Sequence, residues 1–280
     1  EHKAVLQPRG EIEKPGFDVT YIAPDESGRV SADDVLNAVR EDTLLVSVMH
    51  ANNETGIIQP VKEIGDALSG RDIFFHVDAA QTFGKLVEEL RGVKYTFLSA
   101  SAHKMYGPQG VGVLVMRKKR YKLPPLTPMF FGGSQEHGFR PGTVPTALIA
   151  GMGEACRIAE KEYAENLKKY EETKQMIYQL LEQSGIYYSV NGDRNYCIPN
   201  TLNVRLDGMN SVALMQYCKQ FCGMSNGSAC NAASHEPSHV LKAMGFSNEH
   251  TEQSIRLSWG NVAFDTEDFV RMLEVAKSWV

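Results

Sequence analysis

Three side chains carry the chemistry this sequence could do: the Lys104 amine, the Asp78 carboxylate and the Cys230 thiol. Lys104 lies in Ser99-Ala100-Ser101-Ala102-His103-Lys104-Met105-Tyr106-Gly107-Pro108, directly after an apolar run and before a Gly-Pro break. That pattern is a strand-end loop where side chains can converge on a ligand. A lysine there is either a solvent-facing loop residue or a Schiff-base former, since a desolvated lysine loses its proton readily. Ser101 and His103 add a hydroxyl and an imidazole suited to phosphate oxygens. Asp78, in His76-Val77-Asp78-Ala79-Ala80-Gln81, closes an earlier apolar run. It either caps the next helix or holds the ring nitrogen of a pyridoxal cofactor, which needs a carboxylate there to act as an electron sink. Cys230 stands among small, turn-forming residues from Met224 to Ser234, the setting of an accessible thiol rather than a packed one; composition leaves a reactive and an incidental thiol both open. Arg256, inside the strand-like run Ser254–Ser258, is out of place unless paired. Its planar guanidinium suits bidentate capture of a carboxylate, with a solvent-facing edge-strand arginine as the alternative.

Positioning these groups requires strands and helices. Leu44–Met49, Ile73–Val77, Tyr95–Ala100 and Val111–Met116 read as short buried strands, rich in β-branched or aromatic residues. Helical patterns intervene at Ser31–Arg40, opened by Ser31 with Asp34 three residues on, and at Pro60–Leu68. Strand and helix in alternation predict a mostly parallel sheet with helices on its faces. From about Pro145 a long helix runs to about Gln183, followed by a strand at Thr201–Leu206, helices near Ser211–Phe221 and Pro237–Met244, a strand at Ser254–Ser258 and a helix from Asp265. The expected fold class is therefore α/β: a large domain with a mostly parallel sheet, residues 1–160, and a smaller C-terminal α+β domain, residues 161–280.

Composition excludes several classes. Of the 280 residues 42% are hydrophobic and 22% charged, ordinary globular usage that rules out disordered or fibrous chains. Lysine and arginine total 29 against 34 acids, a net charge of −5, which gives no electrostatic footprint for nucleic acid. The basic run Arg117–Arg120 reads as a solvated strand end. No apolar stretch has the length of a membrane helix, and no secretory signal opens the chain. Five cysteines without framework spacing point to a reducing compartment. Cys218 and Cys222, four apart, read as core residues rather than metal ligands, so no metal is expected.

HVDAAQ, SAHKMYGPQG and GGSQEHGFRPGT, with Asn52-Asn53-Glu54-Thr55-Gly56 before them and Ser228-Ala229-Cys230 after, succeed one another in an order that resembles the cysteine desulfurases. These are a branch of the class V aminotransferases with the fold-type I architecture of pyridoxal-phosphate enzymes. The resemblance runs from Glu1 to about Asp268. It implies pyridoxal 5'-phosphate as cofactor, carried by Lys104 and held by Asp78 at the ring nitrogen. Gln81 and Asn53 would lie near the ring hydroxyl, and Ser101 and His103 at the phosphate. Thr143 would reach the phosphate of the partner subunit in a homodimer. His2 would stack on the ring and assist proton transfer, although a histidine at a chain start otherwise reads as a surface residue. Arg256 and Asn53 would bind the carboxylate of the substrate, L-cysteine. Cys230 would take the sulfur as a persulfide and pass it to an acceptor protein, an iron–sulfur scaffold or a thiolation enzyme, in the cytoplasm. Asn226 stands where a second serine is common in this loop. The alternatives are a selenocysteine lyase or another class V aminotransferase, and, from a different class, a catalytically silent sulfur carrier. The family's N-terminal segment, with its Gly/Thr-rich turn at a helix start, does not appear in the 280 residues, and Glu1 is not an initiator methionine. The chain is therefore expected to be part of a longer one.

Overall fold

The computed structural model describes residues 1–8, 11, 13, 16–119, 121–227 and 237–279. It divides into two compact units: residues 40–50 with 61–163, and residues 1–39 with 51–60 and 164–280. The unit changes after Tyr163, and residues 1–39 and 51–60 cluster with residues 164–280.

The 40–163 unit is built on a four-stranded sheet in the order β1 (Leu45–Met49), β2 (Phe74–Asp78), β3 (Phe97–Ser101) and β4 (Gly112–Met116). β1 and β3 run parallel to β2, while β4 is antiparallel to β3. The expected mostly parallel sheet is thus present, with one antiparallel edge. Alternation along the strands gives the sheet two different faces. Phe75 and Val77 of β2 and Leu98 and Ala100 of β3 are buried apolar residues. The intervening His76, Asp78, Ser99 and Ser101 present polar groups on the opposite face. The helix Val61–Leu68 buries Val61, Ile64, Gly65 and Leu68, the i, i+3, i+4, i+7 stripe of an amphipathic helix. A Cβ at Gly65 would come within 2.6 Å of the Lys94 carbonyl oxygen, so only glycine permits this approach.

The other unit holds a three-stranded antiparallel sheet, β5 (Tyr188–Val190), β6 (Thr201–Leu206) and β7 (Ser254–Ser258). Leu202, Val204 and Leu206 of β6 and Ile255 and Leu257 of β7 form its core with Ile177, Leu181, Leu214 and the buried face of the helix Thr266–Lys277. That face is Phe269, Met272, Leu273 and Ala276, again spaced for one stripe. Asp265 caps the helix by accepting from the Asp268 N–H at 3.0 Å. The helix Thr146–Ser184 begins in the first unit and ends in the second. No helix among the described residues is long and apolar enough to cross a membrane.

Candidate active site

The strand ends of the four-stranded sheet collect half of the sequence-derived candidates. Asp78 ends β2, and its register partner on β3 is Ser99, two residues before Ser101. Asp78 is half-buried, and its Oδ1 accepts the Ala80 N–H at 2.9 Å. The capping role and a ligand role are thus compatible, since the carboxylate has further acceptor sites. The turn at Gln81 comes directly after; the Gln81 side chain is half-buried.

β3 runs straight into a 3₁₀ turn, Ala102–Met105, which carries His103 and Lys104 on its exposed side and buries Ala102 and Met105. The turn is ended by Tyr106 in the left-handed region, φ 65°. Glycines and alanines press this turn into place. A Cβ at Gly107 would meet Ala102 and Ala155 at 3.0 and 3.2 Å, and one at Gly151 would meet Pro108 at 3.1 Å. Ala102, Met105, Met152 and Ala155 make a small apolar cluster beneath it. An accessible primary amine, a carboxylate one strand away, a hydroxyl and an imidazole therefore sit at the carboxyl ends of adjacent strands, where open α/β sheets bind ligands. This donor set fits pyridoxal phosphate: an amine for its aldehyde, a carboxylate for its ring nitrogen, and Ser101 and His103 for its phosphate.

Two residues of this unit carry no sequence signal strong enough to single them out. His76 is hydrogen-bonded across all three parallel strands, Nδ1 to Ser47 Oγ at 2.8 Å and Nε2 to Ser99 Oγ at 3.1 Å. Burial lowers its pKa, with Asp78 opposing. Period-two alternation with Asp78 is the one signal that could find it. Lys85 is half-buried, donates to the Gln81 carbonyl at 3.3 Å, and has its pKa lowered to about 8 by burial and, secondarily, by the charge of Lys104. Its turn approaches that of Lys104, since a Cβ at Gly84 (φ +76°) would lie 3.0 Å from Met105 Sδ. Thr143 is exposed and follows Gly142, whose N–H donates to Gln135 Oε1 at 3.1 Å.

The other unit groups Asn53 with Arg256. Asn52 Oδ1 accepts the N–H groups of Glu54 and Thr55 at 2.8 and 3.0 Å, a side-chain turn that fixes Asn53 between them. Arg256 Nη1 donates to the Asn53 carbonyl at 2.8 Å, and the Arg256 backbone pairs with Ser225. The arginine is thus half-buried and engaged rather than a solvent-facing edge residue. His2 caps the short helix Lys3–Leu6, its Nδ1 accepting from the Ala4 N–H at 3.1 Å.

Cys230 and its neighbours from Ser228 to Glu236 lie outside the described residues. In the four remaining thiols burial raises the pKa; Cys218 is fully buried and Cys222 is pushed up to about 11. Among the described residues no group of three or more His, Cys, Asp or Glu side chains could hold a metal ion.

Comparison with known proteins places the chain in a family. Residues 1–268 match the family model described as aminotransferase class-V. A curated relative, cysteine desulfurase IscS of Neisseria meningitidis serogroup A, is 42% identical over 268 residues, covering 95% of this chain. The chain spans 65% of that relative's length. Among solved structures, a NifS-like protein superposes with a TM-score of 0.88 at 32% identity, covering all of this chain and 73% of its own. SspA in complex with cysteine gives 0.77 at 36% identity, covering 94% of this chain and 72% of its own. The α/β fold expected from the sequence is thus the fold these proteins share. With the order of its motifs, the polar strand ends and this breadth of similarity in agreement, the chain belongs to the class-V aminotransferase family.

Proposed function

We propose that the protein to which this chain belongs is a pyridoxal-phosphate-dependent cysteine desulfurase that moves sulfur from L-cysteine to Cys230 and on to an acceptor protein. The observation that carries this reading is the lysine-bearing turn at the end of β3, adjacent to the strand that ends in Asp78. Relatives named cysteine desulfurase, and a structural neighbour bound to cysteine, support the substrate.

When bound, the cofactor supplies an electron sink for the substrate α-carbon. The residues of the chain divide the remaining work. Lys104 would hold the cofactor through its amine and would serve as the base for the substrate α-proton. Asp78 keeps a proton on the ring nitrogen; Gln81 and Asn53 orient the ring hydroxyl. Ser101 and His103 bind phosphate oxygens, as does Thr143 for the partner subunit in a homodimer. Arg256 and Asn53 would hold the α-carboxylate, and His2 would assist proton transfer. The Cys230 thiolate attacks the substrate sulfur. An S–S bond forms, the Cβ–S bond breaks, and its electron pair stays on carbon, which is protonated to give L-alanine. Residues 1–160 then serve as the cofactor-binding part and 161–280 as the C-terminal part, and the enzyme works in the cytoplasm on an iron–sulfur scaffold or a thiolation enzyme.

The test is borohydride fixation of the cofactor in the full-length protein, followed by peptide mapping. The label is expected on Lys104, and Lys104→Ala should lose both label and turnover. Fixation at another lysine would overturn the reading.

A further inference from the structure

One buried ionisable group has no part in that scheme. Glu54 is 1% exposed, and a carboxylate at that depth is costly unless it is held by donors. Its Oε2 accepts the Ser238 hydroxyl at 2.5 Å. Its Oε1 lies 3.9 Å from His239 Nδ1, and the same ring bonds through Nε2 to the Glu1 carbonyl at 3.1 Å. The backbone of Glu54 is fixed as well: its N–H donates to Asn52 Oδ1, and its carbonyl accepts from Asn203 Nδ2 at 2.9 Å. Glu54 is therefore a rigid point, anchored on β6 through Asn203.

The groups that meet this point bracket one stretch of chain. Ser238 follows the undescribed residues 228–236, and its hydroxyl also caps the helix His239–Ala243 by accepting from the Leu241 N–H at 3.1 Å. Gly227 precedes that stretch, and a Cβ there would lie 3.5 Å from Glu54 Oε2 and 3.8 Å from Ser238 Cβ. Just upstream, Ser225 pairs with Arg256, and its hydroxyl donates to the Gly227 carbonyl at 2.8 Å. The far end of the stretch that contains Cys230 is thus hydrogen-bonded to Glu54 Oε2 through Ser238, and the near end, at Gly227, packs within van der Waals range of the same oxygen.

We propose that Glu54 is a positioning residue that bonds the Ser238 flank and packs against the Gly227 flank of the Cys230 segment, holding the described residues 225–227 and 238–241 together. The desulfurase reading supplies the reason this hold matters; the hold itself is independent of it. A hydrogen bond to a buried carboxylate is among the stronger ones, so loss of the Ser238 bond and of the Gly227 packing should be readable as local opening.

The experiment is amide hydrogen exchange on the full-length protein for Glu54→Ala, Glu54→Gln and Ser238→Ala, with the helix Thr266–Lys277 as reference. Glu54→Ala should speed exchange about tenfold or more at 225–227 and at 238–241 alike, leaving the reference helix unchanged. Glu54→Gln, which keeps an acceptor for Ser238, should recover part of the protection. In single turnover with labelled cysteine, Glu54→Ala should retain the cofactor's visible absorption yet lose persulfide on Cys230. Unchanged exchange, or a rise confined to 238–241, would overturn the proposal. Should Glu54→Ala unfold the protein, Ser238→Ala decides. Loss of a helix cap alone would free only 238–241, whereas the hold on both flanks requires 225–227 to open with it. Wild-type label on a cysteine other than Cys230 would overturn the desulfurase reading and leave the exchange result standing.

Discussion

Lys85 illustrates how a single residue reports on its surroundings. Burial and the neighbouring Lys104 both disfavour its charged form, lowering its pKa from an ordinary 10.5 to about 8. Between those two values the unfolded chain binds more protons than the folded one, so stability rises with pH across that window. Below pH 8 the fold carries a half-buried ammonium at a cost. Lys85→Met removes that cost. Its thermal midpoint, relative to wild type, should be most favourable near pH 7 and decline as pH climbs from 8 to 10.5. Melting curves at four or five pH values would check this, and a difference independent of pH would contradict it. Lys104, Asp78 and Cys230 are readable as candidates because their chemistry is named by residue type and loop setting. Lys85 and His76 are not, because their significance lies in partners that are distant in sequence or in burial itself: His76 is linked to Ser47, 29 residues away, and to Ser99, 23 residues on. No local pattern announces such bonds.

At the scale of elements, two glycines in helices make opposite cases. Gly65 faces the Lys94 carbonyl at a distance no Cβ tolerates. Gly65→Ala should therefore cost roughly 1–3 kcal/mol by forcing the helix Val61–Leu68 off its bed. Gly153, exposed in the helix Thr146–Ser184, has nothing within 4 Å of its would-be Cβ. Gly153→Ala should gain roughly 0.5–1 kcal/mol from helix propensity alone. Urea midpoints of the two variants should move in opposite directions. The strands themselves are plain in the sequence: β6 and β7 lie at the expected Thr201–Leu206 and Ser254–Ser258. β5 is not, because Tyr188–Val190 is three residues long with an exposed middle, too short for alternation to register. That β4 runs antiparallel is equally hidden, since strand direction follows from connection geometry and not from composition.

Among the described residues the cysteines share one tendency. Cys156, Cys197, Cys218 and Cys222 all have thiol pKa values raised by burial, so few of them are thiolate at neutral pH. With Cys230 in the small-residue loop read from the sequence, iodoacetamide at pH 7 should modify it well before the other four, which should react only after denaturant is added. Mass mapping of the first modified peptide decides the matter. The division into units is only partly readable. The change of unit after Tyr163 falls inside the long helix, and nothing local shows that residues 51–60 cluster with residues 164–280. The pairing of Ile57 with Cys197, and the bond from Arg256 to the Asn53 carbonyl 203 residues earlier, are what bind them there. This interleaving sets an order of events on the ribosome. The 40–163 unit is fully synthesised while residues 51–60 still lack their partners Cys197 and Arg256. At about 5–20 residues per second, Asn53 waits ~10–40 s between its own synthesis and that of Arg256. During that interval Ile57, fully buried in the finished fold, is an unclaimed apolar side chain on a nascent protein, a natural place for a chaperone to bind.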